Sequence, residues 1–223
     1  MQPLVTCIMP TYKREKYIPR AIKFFKQQDY PNKELIIIDD SPHQYKLPID
    51  VPNIKYIYLP KKKSIGYKRN MAVKHGKGTI FINWDDDDYH GCQRISYQVK
   101  PIISKKAHLT VLINPIYFNE ANKYFYKHLK KDDNDLWEPN GWMCGTIACL
   151  KSIWKIKQFK NISLAEDHYF IMDAINNKAI VQPLHCRHNY VLNRHNSNTF
   201  KFYNYRQIKL NNIPLKIHNA MKI

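Results

Sequence analysis

Apolar residues follow two rhythms along the first hundred positions of this chain. Short unbroken runs suit strands buried on both faces: Leu4 to Met9, stopped by Pro10, and Leu35-Ile36-Ile37-Ile38, which ends in Asp39-Asp40. Ile54 to Leu59 alternates and ends at Pro60, and Thr79 to Trp84 is the next run. Between them Ile18, Ala21, Ile22, Phe24 and Phe25 recur at helical spacing, with a helix end expected near Asp29-Tyr30-Pro31. Lys68 to His75 reads as a second helix, closed by Gly76 and Gly78. Apolar strands interleaved with helices predict an α/β fold built on a parallel sheet covered on both faces.

The pattern loosens further on. Gln93 to Ser104 reads as a helix and Leu109 to Ile116 as a strand. Residues 119–140 are polar and include Asp132-Asp133-Asn134-Asp135, which predicts a loop or hairpin of the length that usually carries function. Thr146 to Leu150 suits a strand, Ala165 to Ile175 a helix, and Ala179 to Val181 and Arg187 to Leu192 further strands. The last twenty residues, with Lys201, Arg206, Lys209, Lys216 and Lys222, are basic and weakly amphipathic. Without repeats, a low-complexity linker or a sharp change in composition, one domain over 1–200 with a basic C-terminal extension over 201–223 is the simplest division.

Composition narrows the classes. The 223 residues suffice for a substantial core. No apolar run approaches the roughly 20 residues of a membrane helix. Met1 to Met9 lacks a basic n-region, so no signal peptide is expected. The five cysteines are odd in number and form no CxxC pair, which suits a reducing cytoplasm. Lys and Arg total 36 against 18 Asp and Glu, a formal charge of +18 that predicts an acidic partner: nucleic acid, an anionic membrane or a nucleotide diphosphate.

Against that positive background, Asp85 to Asp88 stand in a row where a strand should end. Packed carboxylates raise one another's pKa unless a cation neutralises them. Mn²⁺ or Mg²⁺ held by one or two carboxylates, with substrate phosphates completing the shell, would do so. Ligands of open parallel sheets lie at the carboxyl ends of the strands, and three polar clusters coincide there: Pro10-Thr11-Tyr12, Asp39-Asp40 and Asp85–Asp88. Tyr12 can stack on a flat base, and Asp40 can accept a hydrogen bond from a pyrimidine N–H. Lys68 and Arg69, at the start of their helix, suit phosphate. His185, Cys186 and His188 argue poorly for zinc, because strand neighbours face opposite ways and no fourth ligand lies nearby.

Taken in order, these segments resemble glycosyltransferase family 2. Val5-Thr6-Cys7-Ile8-Met9-Pro10-Thr11-Tyr12-Lys13-Arg14 resembles the family's opening strand and loop, and Glu34 to Ser41 its second strand. Gly66-Tyr67-Lys68-Arg69-Asn70 is similar to its G-x-x-R-N helix start, and Trp84 to Asp88 to its D-x-D-D motif. Glu166-Asp167 resembles its E-D pair, and Arg194-His195-Asn196-Ser197-Asn198-Thr199 its closing segment. The order and spacing match across roughly 4–200.

The resemblance implies a GT-A fold, with a Rossmann-like, mostly parallel sheet flanked by helices and an elaborated C-terminal acceptor half. Residues 1–104 would bind the nucleotide and 105–200 the acceptor. The implied activity is metal-dependent, inverting transfer from a nucleotide sugar, in the first place a UDP-sugar, to a glycan, protein or lipid hydroxyl. Pro10, Thr11, Tyr12, Arg14, Lys68, Arg69 and Asn70 are then nucleotide contacts, as are Asp39 and Asp40, with Asp40 in the direct role. Asp85 or Asp87 would meet the ribose or sugar, Asp87 or Asp88 would bind the metal, and Asp86 would be a bystander or a substrate contact. His195 would complete the metal shell or touch the diphosphate. Asp167 is the implied general base, with Glu166 beside it, and Trp142 is a platform for a sugar ring. A cytoplasmic protein is expected, with peripheral contact to an anionic membrane or a partner enzyme and no specific nucleic acid. A nucleotidyltransferase of similar architecture would instead need a Gly-rich loop where Pro10 to Arg14 stand. A nucleic-acid module would exploit the aromatics and cations of Lys201 to Arg206, but would not need Asp85–Asp88.

Overall fold

A computed structural model of the chain describes residues 2–47, 52–128, 142–195 and 205–221. The expected run of strand and helix forms the first half: β1 (Val5–Thr11), α1 (Ile18–Lys26), β2 (Lys33–Asp39), β3 (Ile54–Tyr58), α2 (Ile65–His75), β4 (Ile80–Asn83), β5 (Tyr89–His90) and α3 (Arg94–Ile103). Then follow β6 (Leu109–Ile113), β7 (Ile116–Asn119), β8 (Tyr124–His128), β9 (Trp142–Leu150), α4 (Lys151–Ile156) and α5 (Glu166–Asn176). The chain closes with β10 (Val181–His185), β11 (Tyr190–Arg194), β12 (Tyr205–Gln207) and α6 (Leu215–Met221). The main sheet runs β10-β6-β9-β4-β1-β2-β3, and every pairing is parallel except those of β9. A second sheet, β12-β8-β7-β11-β5, forms beside it.

The unbroken apolar runs serve two cores at once, because successive side chains of a strand face opposite ways. Cys7, Met9, Leu35, Ile37, Ile80 and Ile82 pack on one face with Ile18, Phe25 and Ile95 of α1 and α3. Ile8, Ile36, Ile38 and Phe81 pack on the other with Ala72, Val73, Phe170 and Ile171 of α2 and α5. The segment after 204 is no loose appendage: Ile208, Ile213, Ile217 and Met221 are buried in the first of these cores.

Several boundaries differ from the sequence reading, each for a local reason. β1 continues through Pro10 to Thr11. Ile8 turns its carbonyl toward the β4 side, to Trp84 N–H, so Pro10 faces that side too, where β4 has already ended and no donor is needed. α2 starts at Ile65, because Ser64 caps it by accepting from Tyr67 N–H at 3.2 Å; Lys68 and Arg69 therefore sit one turn inside the helix rather than at its opening. The run Leu109 to Ile116 is two strands in two sheets, parted by Asn114 at φ 55°. The expected loop or hairpin after 119 begins as one, with β7 and β8 antiparallel. Its acidic run 132–135 lies outside the described residues, as do Asn196 to Thr199 and Lys201 to Tyr203.

Asn70, expected at the nucleotide, instead binds the protein to itself. Its Nδ2 donates to Phe159 O at 2.8 Å, and its Oδ1 accepts from Trp154 Nε1 at 2.9 Å and Phe159 N–H at 3.0 Å. It thereby fixes the 157–162 loop on α2, where Gly66 N–H also donates to Ile162 O at 3.0 Å. Asn70→Ala strands buried polar partners and is expected to lower stability by about 1–3 kcal/mol in chemical denaturation; an unchanged denaturation midpoint would mean that these hydrogen bonds do not hold the loop.

Candidate active site

The carboxyl ends of β1 and β4 open into a cleft of about 660 Å³. Its floor is Asp85 to Asp88; its walls are Pro10 to Arg14, Trp142 to Gly145, Ser163 to His168 and, from β11, Tyr190, Leu192 and Arg194. The structure thus brings the opening loop, the aspartate run, the E-D pair and Trp142 to one place.

The four aspartates do different jobs. Asp85 accepts from Arg69 Nη2 at 3.2 Å and keeps the most exposed side chain of the paired aspartates, at 26%. Asp86 is no bystander: it accepts from Thr11 Oγ1 at 2.5 Å and Arg14 Nη1 at 3.0 Å, at 1% side-chain exposure. Asp87 meets Arg14 Nη1 at 2.9 Å and His195 Nε2 at 2.7 Å. Asp88 accepts from the Tyr190 hydroxyl on one oxygen and from Asn193 N–H at 2.8 Å on the other. Burial, reinforced by Asp87, pushes Asp86 up to about 6, and the same causes push Asp88 well above the usual carboxylate range. Burial also opposes ionisation of Asp87, but Arg14 and His195 outweigh it and hold Asp87 below its ordinary value. His195 is positioned by stacking on Tyr17 at 5.1 Å.

Across the cleft, α5 begins after Ala165, which adopts a left-handed backbone (φ 60°) that is costly for a residue with a Cβ. That turn sets Glu166 and Asp167 in the helix's first turn, where the dipole favours acids. Glu166 is buried and pairs with Arg69 Nε at 3.1 Å; burial and the charge of Asp167 raise it to about 7 against the pull of Arg69. Arg69 thus bridges Asp85 on one wall and Glu166 on the other. Asp167 accepts from His168 N–H on Oδ1 at 2.7 Å. Its Oδ2 and that of Asp85 flank Gly145: a Cβ there would lie 3.6 Å from the first and 3.3 Å from the second. The sequence marked Trp142 in this stretch but not Gly145. Only the fold shows that a side chain at 145 would press between the two carboxylates.

At the other end, Tyr12 lies beneath Lys62 Nζ at 4.3 Å and Lys68 Nζ at 5.9 Å, an aromatic surface with cations over it. Asp39 and Asp40 do not line the cleft. Asp39 ties its own turn, accepting from Ser41 N–H at 2.9 Å and Tyr56 hydroxyl at 2.6 Å. Asp40 binds Lys68 Nζ at 2.7 Å and Lys63 N–H at 2.6 Å, so it holds the lysines that do line the cleft. Burial lowers the Lys68 pKa despite that partner. Among the described residues no group of three or more His, Cys, Asp and Glu could hold a metal ion. Asp87 and His195 bring one carboxylate and one imidazole together, 2.7 Å apart. His185, Cys186 and His188 form no such group either.

Comparisons with known proteins agree with this geometry. The model of the family "Glycosyl transferase family 2" matches residues 6–164. A putative colanic acid biosynthesis glycosyl transferase, WcaA, of Escherichia coli K12 is 35% identical over 100 residues, covering 42% of this chain and 36% of that protein. Among solved structures, residues 1–349 of TarS from Staphylococcus aureus in complex with UDP-GlcNAc superpose with a TM-score of 0.66 at 22% identity, over 87% of this chain and 60% of that one. A mannosyltransferase from Pyrobaculum calidifontis, in complex with GDP-Man and Mn²⁺, has a TM-score of 0.60 at 14% identity, over 87% of this chain and 57% of that one. This chain therefore spans about a third of the first relative's length and about three fifths of these structures. The architecture is the GT-A fold, and the match of the family model over most of the chain, through the opening strand, the aspartate run and the wall at Ser163, makes this protein a member of glycosyl transferase family 2.

Proposed function

We propose that this chain transfers a sugar from a UDP-sugar to a hydroxyl of a glycan, protein or lipid acceptor, with inversion and with the help of Mn²⁺ or Mg²⁺. One observation carries the reading: Asp85, Asp87 and Asp167 share a cleft in which Gly145 leaves the space between Asp85 and Asp167 clear. The nucleotide-sugar complexes of the two structural relatives support a donor of this class, and the Mn²⁺ in one of them supports the cation.

The donor's base would stack on Tyr12, with its diphosphate toward Lys62, Lys63 and Lys68. Asp40 then acts through Lys68 and the Lys63 backbone. Asp85 is left for the ribose or donor sugar. Asp87 and His195 would hold the cation, since an oxygen and an imidazole nitrogen both suit Mn²⁺ and Mg²⁺ needs few protein ligands beside phosphate. Asp88 is held by the Tyr190 hydroxyl and the Asn193 backbone N–H, and Asp87 by Arg14 and His195; the metal role is proposed for Asp87 because its partner His195 is itself a metal-type donor. When bound, the cation would offset the charge of the departing diphosphate. Asp167, with Oδ1 fixed by His168 N–H, presents Oδ2 to take the proton of the acceptor hydroxyl as that oxygen attacks the anomeric carbon. Trp142 gives the acceptor ring a face on which to lie. The excess of cations supports peripheral contact with an anionic surface or partner.

Calorimetry with UDP is expected to show weak binding in EDTA and tighter binding with Mn²⁺, and Asp87→Ala is expected to remove the gain. Equal affinity in both buffers for the unmodified chain would end the metal assignment.

Asp167→Asn keeps size and most hydrogen bonding but cannot accept the proton. Turnover is expected to fall by about 10²–10⁴ with donor binding retained. The anomeric configuration of the product, read by proton NMR, is expected to be opposite to that of the donor. A near-normal rate in the variant, or a retained configuration, would remove Asp167 from the role.

Gly145→Ala places a methyl group 3.3 Å from Asp85 Oδ2 and 3.6 Å from Asp167 Oδ2. It is expected to lower kcat/KM with little change in melting temperature; an unchanged rate would mean that the reacting groups meet elsewhere in the cleft.

A further inference from the structure

The aspartate run is gripped from beneath through its backbone. Arg94 Nη2 donates to Asn83 O at 2.7 Å, His90 Nε2 meets Asp85 O at 2.8 Å, and Arg20 Nη2 donates to Asp87 O at 2.5 Å. Three alternate carbonyls are thus held from three elements. Arg94 Nη1 also contacts His90 Nδ1. A guanidinium has only donors, so His90 Nδ1 accepts, its proton sits on Nε2, and the ring donates to Asp85 O. His90 stacks on Trp84 with ring centres 3.8 Å apart, and Arg94 is fully buried. Arg94 Nε donates to Gln98 Oε1 at 3.1 Å, and Gln98 Nε2 donates to Thr146 O at 2.7 Å, next to Gly145.

Arg20 is the most telling member. Its Nε and Nη1 are buried without a hydrogen-bond partner among the described residues. A guanidinium so placed is costly unless something offsets it. The carboxylates of Asp87 and Asp88 lie close enough to attract it.

We infer that Arg94, His90 and Arg20 are positioning residues: a backbone clamp on the aspartate run that aims Asp87 at the donor's cation. The inference rests on the proposed donor and cation site. The clamp's hydrogen bonds go to backbone carbonyls, so they fix the loop without drawing on the carboxylates. Its two guanidiniums also place positive charge under four crowded acids. Through Gln98 it ties the donor floor to β9, which carries Gly145 and Trp142.

The test is the gain in UDP affinity on adding Mn²⁺, compared with UDP affinity in EDTA, measured by calorimetry on variants first checked for normal melting. Supporting partners of metal ligands typically contribute 10–100-fold to metal affinity. Arg20→Met, on the partly exposed α1, is expected to cut the Mn²⁺ gain by about 10–100-fold and to leave binding in EDTA unchanged. His90→Leu is expected to do the same, and His90→Gln, which can still donate to Asp85 O, to restore most of the gain. A parallel loss in EDTA and Mn²⁺ would mark a general structural role and overturn the clamp, as would a gain that survives both Arg20→Met and His90→Leu. No Mn²⁺ gain in the unmodified chain would overturn the metal reading itself, and the clamp's role with it.

Discussion

Four consecutive carboxylates at the buried end of a central strand are the constraint around which this structure is arranged. Crowded acids in a low dielectric can stay together only if each finds its own compensation. Here the compensations come from far apart in the chain: Arg69 for Asp85, Thr11 and Arg14 for Asp86, Arg14 and His195 for Asp87, and Tyr190 with a backbone amide for Asp88. The result is a graded set. Asp86 and Asp88 are pushed toward protonation while Asp87 is held ionised. Burial raises Asp85 as well, against the pull of Arg69, so one run of identical residues holds three acids pushed up and one held down.

The same logic joins the two halves of the cleft. Arg69 lies between Asp85 and Glu166, so the donor floor and the first turn of α5 share one buried cation. Neither acid can shift without altering the other's compensation. Asp167 neighbours this pair yet turns Oδ2 toward Gly145, outside the Arg69 contacts. That division suits the proposed base: Glu166 holds the geometry, and Asp167 would keep an oxygen for the proton.

How much of this was legible in the sequence depended on the range of the interaction. The apolar runs of Leu35 to Ile38 and Thr79 to Trp84 announced the parallel sheet, because burial on both faces writes itself into consecutive residues. The motif order placed Asp85–Asp88, Glu166-Asp167 and Trp142 around one cleft. Asp39, Asp40 and Asn70 were harder, since each sits in a motif yet spends its hydrogen bonds on Tyr56, Lys68 and Phe159. Local pattern cannot show that a polar residue is already engaged by a partner far along the chain. The choice between Asp87 and Asp88 stayed open for the same reason: four identical letters carry no register, and the Tyr190 and Asn193 contacts that set Asp88 apart come from about a hundred residues later. The split of Leu109 to Ile116 between two sheets turned on the backbone of Asn114, which hydrophobic pattern does not report.

The chain's large positive charge takes on a sharper meaning beside this cleft. The acids are concentrated on the floor, and Lys62, Lys63 and Lys68 stand at the Tyr12 end of the same space. For the proposed donor, this separation of charge would draw the diphosphate toward the lysines and leave the sugar toward Asp85 and Gly145. A nucleic-acid backbone would meet the aspartate floor at repeated intervals and be repelled by it. A cation at the proposed Asp87 site would soften that floor for a diphosphate.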